Sequence, residues 1–426
     1  MIRRNERFQE EWVEMTASSG MKLVLFCSPQ FCTSAFLLLT PFGSLDRVQQ
    51  DAAGKIHELP LGTAHFLEHK LFESGHEDVM RTFSRLGANV NAYTSYDSTV
   101  YYFTTPAEDI RVPLSLLLDF VQQLSISPSS VEKEKPIIRE ELAMYEQDPD
   151  ARLFQESMRA IYQYHPLRED IVGTEESIDS ITASALKDAY RRNYHPANMT
   201  LIGVTPVPSE EVRNLVEANQ RSKQFGTFVP MKRVLKPETA DIRRPFRSYE
   251  MDIDQPKSSV VLRLETTSDS AADRIKTEWA LRFSLEKEFT AMNPQYQKWI
   301  DEKRITPYFS YECELNEDYA FIMFEDVTEE TDRLKEFVRE GLQRLRTEGL
   351  SEAELSQLRR RIIGAAVRSV DHPLDLVSGW VRGILRNLNL FDECELVERI
   401  DSGFCRKVVQ AIDESSFACV KLVPEH

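Results

Sequence analysis

Two kinds of periodicity alternate along the chain. MKLVLFCS (21–28) and SAFLLLTPF (34–42) are β-rich apolar runs and predict strands. A helical pattern follows over about 62–86, with Gly87 placed to stop it. NVNAYTS and TVYYFTT flank Tyr96-Asp97-Ser98 and predict a hairpin. Helical patterns then fill about 107–124, 129–147, 152–163 and 182–193, and MTLIGVT (199–205) predicts a closing strand.

The second half repeats the order. SSVVLRLET (258–266) predicts a strand and about 270–294 a helix. ITPYFSYECEL and YAFIMFED predict a second hairpin. Helices are expected near 330–347, 351–370, 373–391 and 402–412, the second opened by a Ser351/Glu354 capping box. FACVKLV (417–423) predicts the last strand. Each half reads strand, helix, hairpin, four helices, strand, which suggests one α+β unit used twice. The expected division is a domain over 1–225, a polar, basic, Pro-containing linker over 226–248, and a domain over 249–426.

The 426 residues suffice for two such domains. The formal net charge of −17 argues against nucleic acid and against anionic lipid, both of which want a basic surface. No apolar run approaches a membrane span, and MIRRNERFQEEW does not read as a signal peptide. The six cysteines show no CxxC pair and read as reduced thiols, which sets the expected location as cytoplasmic. Without a P-loop or GxGxxG, no nucleotide is expected.

The segment that carries chemistry is Gly62-Thr-Ala-His65-Phe-Leu-Glu68-His69-Lys-Leu-Phe72. On a helix, His65 and His69 share one face. Two imidazoles and one carboxylate form a common catalytic zinc set with a position left for water. Glu68 can reach that face without ligating, as a general base would. The order H-x-x-E-H is the inverzincin signature. The plainer reading is two helix histidines beside a glutamate. For the third ligand, VEKEKPIIREE (131–141) reads as a charged helix on which Glu134 and Glu141 stack two turns apart while Glu140 points away. Taken alone, such acids are usually solvated.

These residues resemble the pitrilysin family of inverzincins, which includes insulin-degrading enzyme and the mitochondrial processing peptidase. HFLEHKLFE, VEKEKPIIREELAMYEQDPDARLF and HPLREDIVGTEESI are similar to the bacterial members of about this length, chiefly over the first half. The resemblance implies a zinc peptidase with Zn2+ on His65, His69 and Glu141, Glu68 as base and Glu134 as the supporting carboxylate. It implies that Asn91, Ala92, Tyr93 and Thr94 lie on a sheet-edge strand that takes a peptide substrate as an added strand. It also implies two α+β domains, each an antiparallel sheet packed with helices, forming one half of a clamshell. A homologous half-shell partner is then expected, a heterodimer before a homodimer. Arg304 and Tyr311 match the spacing of an oxyanion-stabilising pair, but Asp301 and Tyr308 align equally well and the usual preceding Gly-Leu is absent. A scaffold subunit without catalysis is the competing class. His57, His76, His165, His195, His372 and His426 read as structural or surface residues.

Overall fold

A computed structural model describes residues 1–73, 79–106, 109–266 and 270–425. The strands in chain order are β1 (Ile2–Asn5), β2 (Glu10–Thr16), β3 (Lys22–Cys27), β4 (Thr33–Thr40), β5 (Val48–Asp51), β6 (Ile56–Glu58), β7 (Asn89–Thr94), β8 (Thr99–Pro106), β9 (Thr200–Thr205), β10 (Met231–Arg233), β11 (Phe246–Met251), β12 (Lys257–Arg263), β13 (Ser310–Leu315), β14 (Ala320–Asp326) and β15 (Phe417–Pro424). The helices are α1 (Thr63–Phe72), α2 (Val79–Arg85), α3 (Arg111–Gln122), α4 (Pro128–Gln147), α5 (Pro149–Ile161), α6 (Glu175–Ser180), α7 (Ala183–Asn193), α8 (Ser209–Arg221), α9 (Ala271–Phe289), α10 (Tyr296–Asp301), α11 (Thr331–Thr347), α12 (Glu352–Val370), α13 (Pro373–Leu385), α14 (Leu390–Glu398) and α15 (Ser402–Gln410). Among the described residues no helix is long and apolar enough to cross a membrane.

The chain forms two compact units, and neither is continuous in sequence. Unit 1 holds Met1–Leu142, Glu169–Leu235 and Val367–Leu385; unit 2 holds Ala143–Arg168, Lys236–Ala366 and the chain from Arg386 onward. These differ from a linear division at two places. Residues 143–168, with α5, belong to unit 2, and residues 367–385, with α13, belong to unit 1. One passage, at Leu235, falls inside the stretch 226–248.

The large sheet of unit 1 runs β1-β2-β3-β9-β4-β8-β7. β3 and β9 are parallel and every other pair is antiparallel. The sheet is thus the expected antiparallel one except at that pair. β9 returns after a long helical excursion and inserts between β3 and β4, so running antiparallel to β4 makes it parallel to β3.

The central strands are apolar on both faces and must be covered on both. On one face Leu23, Leu25, Phe36, Leu38 and Leu201 join a core with Phe66 and Leu67 of α1, Leu117 of α3 and Val212 of α8. On the other, Trp380 of α13 lies edge-on to Phe26 at 4.9 Å and to Trp12 at 5.4 Å between ring centroids. A second, small sheet, β10-β5-β6, had no clear signature in sequence.

The sheet of unit 2 runs β11-β15-β12-β14-β13, with β11 and β15 parallel. This is the path β3-β9-β4-β8-β7 traced a second time, so the repeat read from the pattern is a repeat of topology. Here α5 covers the sheet. Phe154 packs against Phe321, Ser157 bonds Ser259 through their hydroxyls at 2.6 Å, and the Tyr162 hydroxyl donates to the Ala320 carbonyl. The buried Glu156 of α5 gathers Arg152, Arg159, Arg247 and the Tyr249 hydroxyl.

Two stability predictions follow from this packing. Trp380→Ala removes the wedge of α13 and is expected to cost about 3–5 kcal/mol, read as a fall in the denaturant midpoint; a loss under about 1 kcal/mol would mean that α13 is not part of the unit 1 core. Burial pushes Glu325 on β14 up to about 7, helped by repulsion from Asp150 and Glu312 and opposed by Lys257. Folding therefore takes up a proton on Glu325 between the ordinary 4.5 and about 7, and stability falls as pH rises through that window. Glu325→Gln should raise the thermal midpoint at about pH 8 and leave it nearly unchanged at about pH 4; equal shifts at both would exclude this carboxyl as the cause.

Candidate metal centre

The sequence pattern places the chemistry on α1, and the fold buries that helix. Thr63 through Leu67, Lys70 and Leu71 are all buried. Gly62 caps its start at φ 79°, where a Cβ would lie 2.2 Å from the Val172 carbonyl oxygen, so only glycine lets the loop at Val172 close against α1. His65 and His69 project from one face with ring centroids 4.6 Å apart.

Glu141 arrives from α4. Its Oε1 lies 3.5 Å from His65 Nε2 and its Oε2 lies 3.3 Å from His69 Nε2. One donor atom from each of the three residues lies within 4.8 Å of the others. Two imidazole nitrogens and a carboxylate oxygen converging in this way fit zinc, which takes N and O ligands at about 2 Å, after small side-chain movements. Glu140 is exposed on the same helix. Glu134, two turns before Glu141, accepts from His69 Nδ1 at 3.1 Å, fixing which nitrogen His69 turns to the centre. His65 Nδ1 is buried and meets no partner among the described residues.

Glu68 sits on the flank of the histidine pair, and the Thr94 hydroxyl of β7 donates to its Oε2 at 3.2 Å. Burial raises the Glu68 carboxyl above its ordinary value, while His65, His69 and Thr94 pull it down and Glu141 pushes it up. Hydrogen bonds from His65 and His69 hold Glu141 well below the usual carboxylate range. Burial opposes a charge on His69, yet its bonds to Glu134 and Glu141 outweigh that and push it up to about 9. His69 thus holds a proton in the absence of a cation, and metal uptake must displace it.

β7 ends the sheet order. Along it Asn89, Asn91 and Tyr93 are exposed, and Val90, Ala92 and Thr94 are partly buried. The Asn91 side chain accepts from the Ala92 backbone N–H. The expected Arg304 and Tyr311 belong to unit 2 and are both engaged there. Arg304 pairs with Glu340 at 2.5 Å, and the Tyr311 hydroxyl donates to Glu286 at 2.9 Å. His57 pairs with Asp51, while His165 and His195 accept from nearby backbone N–H groups. His372 stands just before α13. His76 and His426 lie outside the described residues.

Sequence reasoning passed over Lys70. It sits directly after His69 on a helix otherwise apolar at that face, and its ammonium reaches Glu134 at 3.3 Å. A charged residue amid Leu67, Leu71 and Phe72 was the available signal.

Metal analysis tests the ligand set. Glu141→Gln is expected to lose most bound zinc and Glu140→Gln to keep it; the reverse outcome would reassign the third ligand.

Comparison with known proteins identifies the family. Residues 52–175 match the family described as Insulinase (Peptidase family M16), and residues 180–362 match the Peptidase M16 inactive domain. Uncharacterized zinc protease YmfH of Bacillus subtilis is 31% identical over 423 residues, spanning 99% of this chain and 98% of that protein. Mitochondrial-processing peptidase subunit beta of Neurospora crassa is 29% identical over 206 residues, 47% of this chain and 41% of that one. A crystal structure of an M16-like peptidase from Alicyclobacillus acidocaldarius superposes with a TM-score of 0.91 at 30% identity, covering 98% of this chain and 99% of that chain. Pitrilysin shares the fold at a TM-score of 0.75 and 17% identity, and this chain covers 46% of its length. The chain belongs to the M16 (insulinase) family of peptidases.

Proposed function

We propose that the chain is a zinc-dependent endopeptidase for unfolded peptides. The observation that carries this reading is the convergence of His65, His69 and Glu141 beside Glu68 at a sheet-edge strand. A zinc ion held by His65, His69 and Glu141 would supply Lewis acidity toward the scissile carbonyl and the attacking water.

The protein's own groups do the rest. A peptide adds beside β7 as a further strand, so that main-chain bonds bind it with little demand on side chains. Asn91, Ala92, Tyr93 and Thr94 are the positions it meets. Glu68 takes a proton from the water as its oxygen adds to the scissile carbon. The C–N bond then breaks, and Glu68 gives that proton to the departing amine nitrogen. A carboxyl raised by burial suits a group that must hold a proton and release it. Thr94 orients Glu68, and Glu134 keeps the His69 proton on Nδ1.

A second half-shell is part of this reading, a heterodimeric partner first and a second copy of this chain next. Support comes from the chain's coverage of only 48% of the periplasmic protease PqqL of Escherichia coli and 46% of pitrilysin, with which it shares the fold. Arg304 and Tyr311 remain its own candidates for oxyanion stabilisation. Their engagement with Glu340 and Glu286 favours donors from the partner. Six cysteines with no disulfide between them support a reducing compartment, the cytoplasm. The description of the second matched region as an inactive domain favours one other reading, a non-catalytic subunit of a peptidase pair.

Hydrolysis of a mixed pool of unstructured peptides, followed by mass spectrometry with zinc present, separates the two. Wild type should cleave, and Glu68→Gln should keep its zinc while losing turnover by about 10²–10⁴-fold. Undiminished turnover in that variant removes Glu68 as the base. Zinc-loaded wild type that cuts nothing, even with a partner half-shell added, supports the non-catalytic subunit.

A further inference from the structure

Lys70 is an unusual residue to find at the heart of a helix packing. Its side chain is 0% exposed, and lysines are almost never fully buried unless paired. Its ammonium meets three acceptors. The ammonium lies 3.3 Å from Glu134 Oε2 and 3.1 Å from the Ser130 carbonyl oxygen, and it pairs with Glu73. Two of these acceptors are on α4 and one ends α1.

Glu134 therefore has its two oxygens divided. Oε1 takes the His69 Nδ1 proton at 3.1 Å and Oε2 takes Lys70. A carboxylate gripped at both oxygens cannot rotate away from the imidazole. His65 has no such support, since its Nδ1 is buried without a partner among the described residues. The polar scaffold of the centre is thus built on the His69 side. The ligands also come from two helices, the histidines from α1 and Glu141 from α4. The Lys70 bond to Ser130 clamps those helices together beside the site.

We propose that Lys70 is a positioning residue for the metal centre. It acts through Glu134 to hold His69 in the ligating orientation, and through Ser130 to set the separation of α1 and α4. This rests on the zinc reading above.

The test is a double-mutant cycle on metal binding. Zinc dissociation constants are measured by chelator competition for wild type, Lys70→Met, Glu134→Gln and the double variant. The visible spectrum of the cobalt-substituted protein reports ligand geometry, and unfolding of the metal-free protein controls for folding. Lys70→Met is expected to weaken zinc by about tenfold and to alter the cobalt bands. In the Glu134→Gln background the same change should do much less, because both residues act on one path. Lys70→Arg, which keeps the cation, should retain the wild-type bands. A purely structural lysine would lower metal-free stability while leaving the cobalt spectrum and its coupling to Glu134 unmoved, and that result overturns the proposal. So does a Lys70→Met protein with wild-type zinc affinity. If Lys70→Met fails to fold, Lys70→Gln, which keeps a donor without the charge, carries the same comparison. Failure of wild type itself to bind one zinc would instead overturn the metal reading, and the proposal with it.

Discussion

The central strands of each main sheet carry apolar side chains on both faces, so neither sheet can stand unless helices cover it twice. In unit 1 the inner face of β3, β4 and β9 is covered by α1, α3 and α8, and the other by α13. In unit 2 the covering helix is α5, on the corresponding strands β12 and β15. The exchange is reciprocal: each sheet is completed by a helix that follows the long charged helix of the opposite half of the chain. This requirement also places the site. Covering the sheet fixes α1 in the interior, and α1 holds His65, Glu68 and His69 beside the last strand, β7.

Burial then sets the electrostatics of the centre. Three carboxylates and two imidazoles share a space from which water is largely removed. Each polar atom must find a partner or carry a large desolvation penalty. Glu141 meets both histidines, Glu134 divides itself between His69 and Lys70, and Glu68 takes Thr94. The opposed shifts of Glu141 and His69 are the mark of that competition. A cation would satisfy the same atoms without the proton.

The repeat shows how one fold can part with its chemistry. In unit 2 the elements that correspond to α1, β7 and α4 are α9, β13 and α12. They line a cavity of about 540 Å3, with Arg282 and Glu286 on α9, Tyr311 on β13 and Arg361 on α12. Where unit 1 brings His65, His69 and Glu141 together, unit 2 closes ion pairs, Arg361 with Glu286 and Arg282 with Glu314. The topology persists because it depends on apolar burial, while the polar residues at the mouth are free to change.

By itself the sequence determined the local elements and the spacing of the candidate donors along them. Period-2 and period-3.6 patterns located the hairpins β7/β8 and β13/β14 and the long helices α4, α9, α11 and α12, because those patterns express burial of one neighbour's face. Helical spacing alone placed His65 with His69 and Glu134 with Glu141. The expected helix over 62–86 is described as α1 and α2, on either side of residues 74–78, which lie outside the described residues. What tertiary structure decided is everything that depends on which segments meet. That includes the insertion of β9 beside β3, the exchange of α5 and α13, and the approach of Glu141 to the histidines. It also includes the role of Lys70, whose charge reads as a surface residue until Glu134 and Ser130 of a distant helix are brought against it. Periodicity records that a face is buried but not against what, so contacts between remote segments become visible only in the folded chain.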